Sequence, residues 1–143
     1  MRFLHLSDLH LGKRVCEFSM LDDQRYILEE ILSLLDTRPV DAVLLAGDLY
    51  DKPVPPAEAV RLLDWFLTEL ADRKLPVFAI SGNHDSAERV AFGAHLLAGS
   101  QVYVSPVFEG APAPITLTDA YGPVDIYLLP FLKPAMVRPI YPD

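Results

Sequence analysis

A chain of 143 residues with 12 Lys and Arg against 20 Asp and Glu carries a formal charge of −8 at neutral pH. With 51% hydrophobic and 10% aromatic residues it can pack a core, which excludes a disordered or low-complexity chain, and its length fits one domain. The acidic balance excludes a protein that coats nucleic acid with a basic surface, yet leaves room for an enzyme that holds cations between itself and a phosphate.

Residues 2–7 read as a strand with Phe3, Leu4 and Leu6 among its apolar positions. Residues 22–36 carry a helical apolar face through Ile27, Leu28, Ile31, Leu32, Leu34 and Leu35. Asp22 and Asp23 suit its N-terminal end, and Pro39 closes the region after it. Residues 42–46 form a short buried strand, and the turn from Pro53 to Pro56 leads into a second helix over 57–71. A third strand over 77–80 and a third helix around 87–97 complete a β-α-β-α-β-α order. That order predicts a parallel α/β sheet with helices on its faces. Eight of the 13 prolines lie at or beyond Pro106, so the last third reads as turns and extended segments rather than helix. Its strands are expected over 102–104, 115–117 and 124–129, with Tyr121-Gly122-Pro123 turning an edge hairpin.

No apolar run is long enough to span a bilayer. Asp8 and two histidines interrupt the stretch where a signal peptide would need its apolar region. The single cysteine, Cys16, leaves no internal disulfide framework and points to a reducing cytoplasm.

A polar cluster follows each of the first three predicted strands: Ser7-Asp8-Leu9-His10, Gly47-Asp48-Leu49-Tyr50-Asp51 and Gly82-Asn83-His84-Asp85. In an open α/β sheet ligands bind at the carboxyl ends of the strands, so three separate segments would bring Asp8, His10, Asp48, Asn83 and His84 to one edge. Asp8 and His10 are two apart and, on an extended segment, share a side and can chelate one cation. Asp48 has two oxygens to bridge two cations, and Asn83 adds a neutral oxygen. Such a mixed set suits Mn²⁺, Fe²⁺ or Zn²⁺, and two of these about 3.5–4 Å apart form a clamp for phosphate-ester hydrolysis. His84 is then free to contact the phosphate or protonate the leaving oxygen. Each cluster alone has an ordinary reading as a turn. Their joint placement, one after each strand, is what points to a metal site.

These three segments resemble the first three motifs of calcineurin-like metallophosphoesterases. The longer stretches from Leu4 to Gly12 and from Ala46 to Asp51 are similar to the SbcD-type nuclease branch of that superfamily. The resemblance implies a metallophosphoesterase fold and hydrolysis of phosphodiester bonds in DNA, in repair, recombination and replication. It implies two divalent ions, Mn²⁺ foremost, one held by Asp8, His10 and Asp48 and the other by Asp48 and Asn83. His84 would act on the phosphate and Asp85 would orient it by a hydrogen bond. The implied partners are DNA, an SbcC-type ATPase and a second copy of the chain, joined through helices where Val90, Phe92, Leu96 and Leu97 lie.

Lys13, Arg14, Lys52 and Arg89 lie near the motifs as candidate DNA-phosphate contacts, against a stronger expectation of solvated surface charge for each alone. Trp65 and Phe66 read as core rather than base-stacking residues, and Cys16 as a small buried residue or a loop thiol. The family pattern continues with a further histidine and a Gly-His-x-His segment. The histidines here are His5, His10, His84 and His95. His5 reads as a partly buried strand residue and His95 as a helix-face residue, so the chain is expected to be the N-terminal part of a longer nuclease. Two rivals stay open: a phosphoesterase for another phosphate ester on the same scaffold, and a catalytically silent scaffold or dimerisation module.

Overall fold

The computed structural model describes residues 1–142. In chain order it runs β1 (Phe3–Leu6), β2 (Arg14–Val15), β3 (Phe18–Ser19), α1 (Leu21–Thr37), β4 (Ala42–Ala46), α2 (Ala57–Asp72), β5 (Val77–Ile80), α3 (Ala87–Val90), α4 (Ala94–Ala98), β6 (Val102–Val104), β7 (Ile115–Asp119), β8 (Gly122–Ile126) and α5 (Pro134–Val137). Strands β1, β4, β5 and β6 pair in that order, all parallel, with Leu6 opposite Leu45 and Ala46 opposite Ile80. The carboxyl ends of the first three therefore share one edge.

Each new strand adds on the same side of the last, and right-handed crossovers then leave α1 to α4 on one face. Leu28, Leu32 and Leu35 of α1 and Leu62, Leu63, Phe66 and Leu70 of α2 are buried there against Val43, Leu45, Val77, Ala79 and Val102. Phe66 is wholly buried, so truncation to Ala would cost about 3–5 kcal/mol. Trp65 packs at the edge of this core with the Arg25 guanidinium 4.3 Å over its ring. The opposite face is closed by the β7–β8 hairpin, whose Ile115, Leu117 and Ile126 join Leu128 against Ala42 and Phe78. The β4 run is apolar at every position because both of its faces are covered.

Several local expectations are corrected. Helices α1 to α4 cover one sheet face, and the β7–β8 hairpin covers the other. The third helix is two short ones, parted at Gly93, whose φ of 74° is left-handed and ends the helical path. The hairpin turns at Ala120 and Tyr121, which moves its second strand back to Gly122–Ile126, and it forms a separate sheet rather than an edge of the main one. Pro123 is tolerated because neither strand of a two-stranded sheet has a neighbour on its outer side. Pro134 starts the one-turn helix α5, where a missing N–H costs nothing, so the last third is not free of helix. The β2–β3 hairpin has no sequence signal: Cys16 and Glu17 adopt φ of 47° and 69° without the usual Gly or Asn. Cys16 is therefore an exposed loop thiol. His5 is exposed on edge strand β1 instead of partly buried, while His95 is an exposed residue of α4 as read.

Candidate metal centre

The segments after β1 and β4 run on side by side. Asp8 N–H donates to the Gly47 carbonyl at 3.1 Å, His10 N–H to Asp48 at 2.9 Å and Leu11 N–H to Leu49 at 2.9 Å. The loop after β5 is joined to them by Asp85, whose carboxylate accepts from Leu49 N–H at 3.0 Å, Tyr50 N–H at 2.9 Å and Gly82 N–H at 2.8 Å. Gly82 has to be glycine: a Cβ there would lie 2.8 Å from Cγ of Asp48 and closer still to Oδ1 and the backbone nitrogen.

Asp8, His10 and Asp48 all sit in the left-handed region, with φ of 59°, 44° and 50°. Non-glycine residues there cost about 1–3 kcal/mol each and cluster at functional sites. The expectation that Asp8 and His10 share a side by extended alternation is thus overturned; left-handed turns at both residues bring them together instead.

His10 Nε2 lies 3.8 Å from Asp8 Oδ1 and 3.8 Å from Asp48 Oδ2. These gaps are too long for hydrogen bonds and close to twice a metal–ligand distance of about 2 Å. Ligand atoms of His10, Asp48 and His84 all lie within 4.8 Å of one another, and the two imidazoles meet edge to face at 4.8 Å. The other Asp48 oxygen, Oδ1, accepts from His84 N–H at 2.9 Å, which fixes the carboxylate with Oδ2 toward His10. Asp8, Asp48 and Asn83 line one cleft of about 300 Å³. All the donors are nitrogen or oxygen, and the only thiol is in the β2–β3 turn, so the site fits a hard or borderline divalent cation. Among the described residues, buried His10 Nδ1 has no hydrogen-bond partner; the carboxylate oxygen Asp51 Oδ1 is 3.7 Å away.

One expected contact gives way to another. Asp85 does not orient His84, because its oxygens are engaged by three backbone donors; His84 Nδ1 lies 3.0 Å from the Asp51 carbonyl. A carbonyl only accepts, so Nδ1 donates in this contact and Nε2 is the nitrogen left free to face a ligand. Asp51 stands in the second motif, where its spacing gives it no role of its own. Nothing in the sequence marks the segment 129–131 either: Leu129, Pro130 and Phe131 form a wall of the cleft, pinned by Phe131 N–H donating to Ser81 at 2.8 Å.

Lys13, Arg14, Lys52 and Arg89 are all exposed. Lys13 adjoins the site, its N–H donating to His10 at 3.0 Å, and Lys52 follows Asp51. Arg14 is turned to the Glu17 carbonyl within its own hairpin, and Arg89 borders a separate hollow with Tyr50, Pro55 and Phe92. Burial, with the carboxylates of Asp85 and Asp64, pushes the Tyr50 phenol up to about 12. Among the described residues no helix is long and apolar enough to cross a membrane.

Residues 1–133 match the calcineurin-like phosphoesterase family, and the chain belongs to it. Within that class it is 34% identical over 144 aligned residues to the SbcD subunit of nuclease SbcCD from Staphylococcus epidermidis, an alignment covering all of this chain and 37% of that protein. Against the SbcD subunit of nuclease SbcCD from Staphylococcus saprophyticus it is 34% identical over 132 residues, covering 92% and 34% of the two. The chain spans little more than a third of the length of these relatives.

Proposed function

We propose that this chain is the N-terminal, metal-binding part of a cytoplasmic SbcD-type nuclease that hydrolyses DNA phosphodiester bonds, with Mn²⁺ as its metal and an SbcC-type ATPase as its partner. The observation that carries the reading is His10 Nε2 flanked at 3.8 Å by carboxylate oxygens from two loops, all three residues held left-handed. The family match and the relatives' names support the phosphodiester chemistry. Asp8, His10 and Asp48 would hold one cation, and Asp48 with Asn83 the other. Bound cations activate water and neutralise charge on the phosphate.

The chain's own residues do the rest. Backbone pairing of the two loops holds the carboxylates in place before any ligand arrives. His84, anchored through Nδ1 on the Asp51 carbonyl, presents Nε2 to a phosphate oxygen and, when protonated, can deliver a proton to the leaving oxygen. Lys13 and Lys52 at the rim contact the flanking phosphates, with Arg14 and Arg89 farther out. Phe92 and Leu96, each 85% exposed, belong to a homodimer face with the half-buried Val90 and Leu97. A second cation with only a shared carboxylate and an amide is poorly held, so further ligands come from a later segment of the longer protein.

One observation favours a second reading of His84. Its grouping with His10 and Asp48 also suits a third metal ligand. The test of the main proposal is Mn²⁺-dependent cleavage of a labelled DNA duplex by the longer protein and by residues 1–143 side by side, with p-nitrophenyl phosphate as the alternative ester. Strong cleavage of the duplex by the longer protein and little by the short chain is expected. Turnover of the small ester without any cleavage of DNA would overturn the nuclease assignment.

A further inference from the structure

We propose that Gln24 is the positioning residue for His10, and that its side-chain amide sets the direction of the imidazole toward the cation. The inference rests on the metal-centre reading above. A ligating histidine is normally aimed by a hydrogen bond to its second ring nitrogen. Here that atom, Nδ1 of His10, is buried with no hydrogen-bond partner among the described residues, Asp51 Oδ1 standing off at 3.7 Å, so the hydrogen-bonded support of the ring lies in the backbone that carries it.

Gln24, in the first turns of α1, holds that backbone on both sides of the ligand. Its Nε2 donates to the carbonyl of His10 at 2.8 Å and to that of Leu9 at 3.1 Å, while Oε1 accepts from Gly12 N–H at 3.0 Å. Both amide hydrogens and the amide oxygen are used, and all the contacts fall between residues 9 and 12. This stretch contains the left-handed turns of His10, φ 44°, and Gly12, φ 88°. The amide thereby closes a turn that the chain would otherwise leave, since a left-handed histidine is unfavourable on its own. Helix α1 is anchored in the core by Leu28, Leu32 and Leu35, so Gln24 transmits a rigid reference to the loop.

The experiment compares the wild-type chain with Gln24→Met, which keeps the volume and loses all three bonds, and with Gln24→Glu, which keeps the acceptor for Gly12 and loses the two donors. Mn²⁺ alone is the probe for affinity, Co²⁺ absorption for ligand geometry, and amide hydrogen exchange at Gly12 in metal-free protein for the loop. Circular dichroism establishes that each variant is folded. A fall in Mn²⁺ affinity of about 10–100-fold in a folded variant is expected, with a changed Co²⁺ spectrum and faster exchange at Gly12. Wild-type binding of both ions, with variants within twofold and spectrally unchanged, would overturn the role of Gln24 and leave the metal centre standing. No binding by the wild-type chain would instead remove the metal centre itself. If Gln24→Met does not fold, Gln24→Glu carries the comparison.

Discussion

Gly82→Ala removes no ligand and adds one methyl group, yet it should disable the site. The new Cβ would lie 2.8 Å from Cγ of Asp48, inside the 3.0 Å that real Cβ contacts keep, and nearer to Oδ1 and the backbone nitrogen. A side chain at the far end of a rotamer could swing away, but a backbone nitrogen cannot. Asp48 is also held by its carbonyl to His10 N–H and by Oδ1 to His84 N–H, and Gly82 by its N–H to Asp85. The loops after β4 and β5 must therefore part, on the order of 1 Å, the scale at which misplaced groups lose about a hundredfold in function. Overpacking of this kind costs about 1–3 kcal/mol, and a backbone obstacle puts the change at the upper end. Gly93→Ala is the control: its φ is 74° but none of the described residues lies within 4 Å of the added carbon, so only the left-handed cost of about 1–2 kcal/mol applies. Thermal denaturation and Mn²⁺ calorimetry on both variants separate the effects. Gly82→Ala should lose at least tenfold in Mn²⁺ affinity and Gly93→Ala almost none. Wild-type melting and metal affinity in Gly82→Ala would refute the steric argument.

Three further outcomes follow from the same geometry. Asp85→Ala strands three backbone N–H groups, each worth about 1–3 kcal/mol if unsatisfied, so a destabilisation of several kcal/mol is expected in urea melts after water makes up part of the loss. His84→Ala should lower the rate of phosphodiester cleavage by about 10²–10⁴-fold with Mn²⁺ affinity within a few-fold of wild type; affinity falling with the rate would make it a ligand. The Tyr50 phenol should ionise only near pH 12, seen as a late, high-pH phenolate step in an ultraviolet titration and absent from Tyr50→Phe. Because its folded pKa is raised, its contribution to stability is whole below the ordinary value of about 10 and is lost as pH rises toward 12.

What the sequence revealed was local and periodic. Helix α1 was legible because Leu28, Leu32 and Leu35 repeat at helical spacing, and β4 because Ala-Val-Leu-Leu-Ala between Asp41 and Gly47 has the look of a doubly covered strand. The motif residues could be placed because each follows such a strand. The contacts between elements were not legible. Gln24 is one polar residue in an acidic first turn, and nothing in its surroundings marks it as the clamp on residues 9–12. Asp85 stands beside His84 in sequence, which favoured a bond between them, but the close approach of Gly47 to Gly82 brings the Leu49 and Tyr50 N–H groups to Asp85 instead. Left-handed turns such as those at Asp8, His10 and Asp48 are uncommon outside glycine, so alternation was the wrong rule for the spacing of two. Leu129 to Phe131 lie far beyond the motifs in sequence, and only the path of the chain after β8 brings them to the cleft.

The central claim, that Asp8, His10 and Asp48 form a cation site, is tested most directly by Mn²⁺ titration of residues 1–143 followed by electron paramagnetic resonance, wild type against Asp48→Asn. The substitution is nearly isosteric and keeps an oxygen but removes the charge shared between the proposed cations. The wild-type chain should bind about one Mn²⁺ weakly, with water completing its coordination, and Asp48→Asn should lose at least tenfold in affinity while circular dichroism stays unchanged. No Mn²⁺ bound by the folded wild-type chain, or equal binding by the two proteins, would contradict it.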